Sequence, residues 1–284
     1  MSRVIEEHDV TVLQGDAREQ LATMGDGSVQ CVVTSPPYYG LRDYGVDGQL
    51  GLEASPAEYV EAMRAVFADV RRVIADDGVL WLNLGDSYSG GGRGVYDPAG
   101  HLAEGVPLAR PVVGIPPAKN LLGIPWRVAF ALQDDGWTNK GEHHRAGPGS
   151  SQRRTGNTYG SRPDPTPYAP GVDPQAGRAV TGVRRQAKAD NSVGRNPGDV
   201  WSIPTSPFPG AHFATMPSEL VRRCILAGCP DDGTVLDPFA GSGTTLKVAR
   251  SLGRKSVGIE LNPDYIDIIR DRIGQTPLDF GASA

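Results

Sequence analysis

Two short stretches of this 284-residue chain carry residue types that could do chemistry. The first is Asp237-Pro-Phe-Ala-Gly-Ser-Gly-Thr-Thr245, set between an apolar run and an amphipathic one. Gly241 and Gly243 allow a tight turn and a close approach of ligand to backbone. The helix that follows offers free N–H groups and the positive end of its dipole. A phosphate-binding loop would place Lys where Thr244 stands, and a dinucleotide fingerprint would place a third Gly where Leu246 stands, so both phosphate readings are weak. Glu260 ends the next apolar run, 19 residues beyond Gly241, where an acid can accept hydrogen bonds from ribose hydroxyls.

The second stretch is Thr34-Ser-Pro-Pro-Tyr-Tyr-Gly40, at the end of another apolar run. Two consecutive prolines fix φ and present carbonyls without competing N–H groups, so Ser35 and Pro36 can aim acceptors at an amine. Tyr38 adds a π face on which a planar base can stack. Other reactive types do not assemble into a site. Glu142-His143-His144 lacks metal-ligand spacing, Cys224 and Cys229 have no second pair for zinc, and Cys31 sits inside an apolar run as a core residue. No metal is expected.

The elements that must position these groups alternate between strand and helix. Apolar runs at 10–13, 30–34, 79–84, 234–236 and 255–259 are too short for helices and read as strands. A helix opens with Ser55 as N-cap, Pro56 at the first position and Glu58 three residues after the cap. Its apolar stripe runs from Tyr59 to Ile74, and Gly78 is read as its end. Further helices are expected at 126–132, 218–227 (stopped by Gly228), 244–252 and 263–273. This alternation predicts an α/β fold, a doubly wound and mostly parallel sheet covered on both faces.

Composition narrows the class. The chain is 39% hydrophobic, with a formal net charge of −5 and three cysteines. No run approaches a membrane span, and the N-terminus lacks an apolar signal core. With so few cysteines a disulfide framework is excluded and a reducing cytoplasm is the expected location. Gly and Pro, 37 and 24 in number, concentrate at 85–125 and 139–200. The latter stretch contains no Leu, Ile, Phe, Trp or Met and carries ten basic against five acidic side chains. It is expected to be a flexible basic insertion within a single domain spanning 1–284.

Ser35-Pro-Pro-Tyr38, followed much later by Asp237-Pro-Phe-Ala-Gly-Ser-Gly243, resembles the amino-group DNA methyltransferases. These enzymes use S-adenosylmethionine to methylate the exocyclic nitrogen of cytosine or adenine. The order, catalytic motif before cofactor motif, is similar to the permuted β group of that family. The resemblance spans 9–138 and 201–274. It implies that Ser35, Pro36, Pro37 and Tyr38 are catalytic. It further implies that Asp237, Phe239, Ala240, Gly241, Ser242, Gly243 and Thr244 line the cofactor site and that Glu260 holds the ribose. Asp16 would contact the adenine, and Phe213, in His212-Phe-Ala-Thr-Met-Pro217, would pack near the methionine moiety. Asn83-Leu-Gly-Asp86 ends the strand beyond the catalytic one, with no role assigned.

The implied reaction is methyl transfer to a flipped base in duplex DNA, without a covalent enzyme intermediate. Ser at the first motif position resembles the N4-cytosine enzymes; N6-adenine methylation and a catalytically silent DNA-binding relative are the alternatives. Relatives follow the position of Gly136-Trp137 with two apolar strands bearing Trp-x-Lys-Pro and His-Glu-Tyr segments, and here the polar insertion begins instead. Its basic residues, Arg153, Arg154, Arg184 and Arg185 among them, are expected to meet DNA phosphates. A restriction nuclease of matching specificity is an expected partner.

Overall fold

The structure, a computed structural model, describes residues 4–89, 116–117, 119–138, 201, 203 and 216–274. Chain contacts divide into two units, Met1–Asn139 with Ile203–Ala284, and Lys140–Ser202. The architecture below is that of the first. The basic stretch 139–200, with Arg153, Arg154, Arg184 and Arg185, lies outside the described residues, as does Phe213.

Six strands form one sheet. They are β1 (Val4–Glu7), β2 (Val10–Gln14), β3 (Val29–Thr34), β4 (Ile74–Leu82), β5 (Thr234–Asp237) and β6 (Lys255–Glu260). Their order across the sheet is β1-β2-β6-β5-β3-β4. All pairs are parallel except β1 with β2. The helices are α1 (Ala17–Leu21), α2 (Pro56–Val73), α3 (Ile124–Asp134), α4 (Ser218–Gly228), α5 (Thr244–Ser251) and α6 (Pro263–Gly274).

The sheet is wound on both faces. One apolar cluster joins α1, α2 and α3 to the sheet through Leu21, Tyr59, Phe67, Val70, Ile124, Val32, Leu236 and Ile259. Another joins α5 and α6 to β1 and β2 through Leu246, Ile266, Ile269, Ile5, Val10 and Val12. The α2 cap follows its sequence signals: Glu58 N–H donates to Ser55 Oγ at 3.2 Å, and Ser55 Oγ donates to Glu58 Oε1 at 3.0 Å. Cys31 lies fully buried in β3, its thiol pushed well up by burial, as a core residue. Among the described residues β1 and β4 form the two edges of the sheet.

Several elements differ from expectation, among them two helix ends and one strand. Helix α2 stops at Val73, and Ile74 turns to extended backbone (ψ 140°) as the first residue of β4. The helical stripe runs unbroken to Ile74, so the sequence shows no break, and Gly78 lies inside β4. Gly228 is the last residue of α4, not the stop beyond it. The unexpected β1 is paired to β2 through His8 and Asp9, both with positive φ (54° and 62°), the backbone of a tight hairpin turn.

Candidate active site

Strand order reverses between β5 and β3: from β5 the chain proceeds to β6 on one side, whereas β3 leads to β4 on the other. At such a switch point the two loops leaving the strands' carboxyl ends diverge and open a crevice. A cleft of about 210 Å³ lies there. Segments far apart in the chain thus meet: Ser35, Pro36, Pro37 and Tyr38 line it from β3, and Asp237, Phe239, Ala240, Gly241, Ser242 and Thr244 from β5. Glu260 and Asp16 line it as well, whereas Gly243 of the predicted set does not.

The two loops are tied at their roots. Thr34 Oγ1, fully buried, donates to Asp237 Oδ1 at 2.7 Å. The Phe239 amide donates to the same oxygen at 3.1 Å. Burial raises the Asp237 pKa, and the bonds from Thr34, Thr245 and Phe239 partly offset that. This carboxyl therefore fixes the end of β3 to the turn after β5.

Gly241 and Gly243 adopt positive φ, 52° and 76°. Gly243 caps α5 and sits behind the cleft, where a Cβ would come within 3.1 Å of Ile269. Around Gly241 no neighbour would crowd a Cβ closer than 4.0 Å, so its backbone lies open. The loop is braced from α6: Arg272 Nη1 donates to Ser242 O at 2.7 Å, Ser242 Oγ at 2.6 Å and Thr244 Oγ1 at 3.2 Å.

Glu260 is 8% exposed and accepts two backbone amides, Gly241 N at 2.7 Å and Asn262 N at 2.8 Å. Burial nevertheless pushes its carboxyl up to about 7, the amides acting in the opposite direction. Asp16 caps α1, its Oδ1 accepting from Arg18 N at 2.9 Å and Glu19 N at 3.1 Å.

On the β3 side the two prolines separate in function. Tyr59 of α2 donates its hydroxyl to the Pro37 carbonyl at 2.8 Å. Among the described residues no hydrogen bond occupies the Pro36 carbonyl. Tyr39 turns into the core against Tyr59, ring centroids 5.6 Å apart, whereas Tyr38 faces the cleft. Ser35 Oγ donates to Tyr38 Oη at 3.2 Å. Asp86, in the segment after β4, caps α3 by accepting from Gly123 N and Ile124 N, both at 3.0 Å.

Sequence reasoning missed one wall of the cleft. Leu41, Arg42, Tyr44, Val46, Gln49 and Leu50 line it from the loop after Gly40. That loop is closed at its neck by Gly40 N to Gly51 O (2.6 Å) and cross-braced by Gln49, which accepts from Tyr44 N and donates to Arg42 O. Tyr265 of α6 and Met216 also line the cleft. Polar, Gly-rich and without periodicity, the 41–50 loop carries no signal beyond its position after the Pro-Pro turn. No group of three or more metal-ligating side chains occurs among the described residues, and no helix there is long and apolar enough to cross a membrane.

The fold and the cleft define a doubly wound α/β domain in which a buried acid at the end of β6 and a proline-fixed turn after β3 line one cleft. A family model for DNA methylases of the N6/N4 amino-group type matches residues 29–271. The chain is 41% identical over 282 residues to the type II methyltransferase M.Cfr9I of Citrobacter freundii, covering 96% of this chain and 90% of that protein. It is 43% identical to M.XycI of Xanthomonas campestris pv. cyanopsidis, covering 93% and 87%. Among solved structures, the cytosine-N4-specific PvuII DNA methyltransferase superposes with a TM-score of 0.56 at 20% identity, covering 96% and 88%. The Thermus thermophilus protein TTHA0409, in complex with S-adenosyl-L-methionine, gives 0.54 at 23%, covering 92% and 91%. The chain belongs to the amino-group DNA methyltransferase family, whose members depend on S-adenosylmethionine.

Proposed function

We propose that the enzyme methylates the exocyclic N4 amine of cytosine, flipped out of duplex DNA, at a specific sequence. The observation that carries this is the meeting of the Ser35-Pro-Pro-Tyr38 turn with Gly241 and Glu260 in one cleft, its roots tied by the Thr34–Asp237 bond. Ser at position 35, in place of an acid, supports cytosine over adenine.

The cleft suits S-adenosylmethionine. Among the described residues its charged lining groups are Asp16, Asp237 and Glu260 against Arg42, an excess of acidic side chains for a molecule bearing sulfonium and ammonium groups. Glu260 would accept the ribose hydroxyls, Asp16 would face the adenine, and Phe239 and the open backbone at Gly241 would line the remainder. When bound, the cofactor supplies an electrophilic methyl group.

The rest of the chemistry belongs to the protein. An exocyclic amine is a weak nucleophile because its lone pair is delocalised into the ring. Ser35 Oγ and the Pro36 carbonyl accept the amine hydrogens and turn that lone pair toward the methyl donor. The Tyr59 bond holds the neighbouring Pro37 carbonyl, so the turn is preorganised. The Tyr38 ring stacks on the base, replacing the stacking it loses in leaving the duplex. Positioning supplies most of the rate. The basic residues of 139–200 bind the flanking phosphates, and the methylation protects sites from a matching nuclease.

The test is transfer of labelled methyl from S-adenosylmethionine to unmethylated bacterial DNA, with two variants. Tyr38→Ala is expected to lose turnover while retaining cofactor affinity, and Gly241→Val to lose cofactor binding outright. Equal loss of cofactor affinity in both would sink this division of roles, and absence of transfer by the wild type would sink the activity.

A further inference from the structure

We infer that Asn83, just beyond β4, is a positioning residue that holds both Ser35 and Tyr38 in their reacting arrangement. The inference rests on the catalytic roles proposed above for those two residues. Leu82 is paired with Thr34, and Asn83 N–H donates to Thr34 O at 2.9 Å, so Asn83 stands beside Ser35 past the ends of two bonded strands. Its Nδ2 donates to Tyr38 Oη at 3.2 Å and Ser35 Oγ at 3.4 Å. Ser35 Oγ and Tyr38 Oη are themselves 3.2 Å apart. Three polar side-chain atoms thus close a triangle at the mouth of the proposed base site.

The donor inventory orders the protons of that triangle. An amide NH2 has two hydrogens and no acceptor capacity, so Asn83 gives one hydrogen to each hydroxyl oxygen. When Ser35 accepts a hydrogen from the target amine, both of its lone pairs are in use. Its own proton then goes to Tyr38, whose oxygen already accepts from Asn83. The Tyr38 proton is left facing the cleft. Within the triangle every donor except the Tyr38 hydroxyl has an acceptor, and Ser35 is held as an acceptor toward the base. The next residues complete the seat: a Cβ at Gly85 would lie 2.7 Å from Tyr38 Cε2 and 2.8 Å from Cδ2, so the ring packs directly on that backbone. The segment after β4 therefore fixes the tyrosine by hydrogen bonds at its tip and by contact at its edge.

The experiment uses the full chain, labelled S-adenosylmethionine and bacterial DNA, with single-turnover rates and cofactor affinity measured for wild type, Asn83→Ala, Asn83→Asp, Tyr38→Phe and the Asn83→Ala/Tyr38→Phe double variant. Asn83→Asp preserves shape and removes both donors: its carboxylate draws the hydroxyl protons to itself and leaves the two oxygens with none between them. The expected result is a loss of tenfold or more in methyl transfer for Asn83→Ala and Asn83→Asp at neutral pH, with cofactor affinity unchanged. The double variant should lose little beyond the more impaired single variant, because residues acting through one network are not additive. Transfer by Asn83→Asp at the wild-type rate, or full additivity in the double variant, would overturn the inference while leaving the proposed activity standing. A wild type that transfers no methyl group would overturn the proposed activity itself.

Discussion

The ribose contact proposed for Glu260 would make the affinity for the cofactor a function of pH, with a sign that can be worked out. Its carboxyl titrates at about 7 in the folded protein, above the reference 4.5, because burial outweighs the two amides it accepts. Between those values the folded chain binds more protons than the unfolded one. The group thus favours folding at low pH and withdraws that favour as pH rises toward 7, by roughly 3 kcal/mol over the interval. Ribose hydroxyls reverse the balance, since they donate to the carboxylate and favour its ionised form. Cofactor affinity should therefore rise with pH up to about 7 and flatten above it. Between pH 8 and pH 6 the expected loss is about tenfold, because at the lower pH one proton must leave the carboxyl before the ligand can bind. Calorimetry with S-adenosylhomocysteine in two buffers of different ionisation enthalpy measures affinity and the proton released together. Glu260→Gln supplies the reference, because any titration of the ligand's own amine persists in that variant. A wild-type pH dependence identical to that of Glu260→Gln would refute the reasoning.

Three further substitutions probe the supports of the site. Gly85→Ala places a Cβ 2.7 Å from the Tyr38 ring against an ordinary contact of 3.4 Å or more; the forced shift should cut turnover about 100-fold with cofactor affinity intact, and wild-type turnover would contradict the contact. Tyr59→Phe removes the bond to the Pro37 carbonyl and should cost about 1 kcal/mol of stability together with a lower methyl-transfer rate, read from denaturant unfolding and single-turnover kinetics. Asp86→Ala uncaps α3 and should cost about 1–2 kcal/mol, seen as a lower midpoint of urea unfolding.

The parts of the fold with strong local chemistry were legible in the sequence. The apolar runs of β3, β5 and β6 are short and bounded by turn residues, and Ser55-Pro56 with Glu58 marks the start of α2 by its capping chemistry. Elements shaped by tertiary context were not. Strand β1 is four residues with two glutamates, and its pairing depends on a turn at His8 and Asp9, types that mark positive φ only weakly. The end of α2 is hidden because Val70, Val73 and Ile74 continue one helical stripe although Ile74 already belongs to β4. In the site, the glycines, the prolines and Glu260 announce themselves by type and spacing. The contributions of Asn83, Tyr59 and Arg272 come from distant elements, and only the folded backbone brings them to the turn and the loop. Asp237 shows the converse: an acid at a strand end reads as a ligand-binding group, yet its carboxyl is engaged by Thr34 and the Phe239 amide.

The central claim is that Ser35 and Pro36 present acceptors to the amine of a flipped cytosine beside a bound methyl donor. Its most direct measurement is the identity of the product nucleoside after the purified enzyme has methylated unmodified DNA, determined by digestion and mass spectrometry. N4-methylcytosine, formed by the wild type and not by Tyr38→Ala, is the predicted result. N6-methyladenine as the product, or no methylated nucleoside at all, would contradict it.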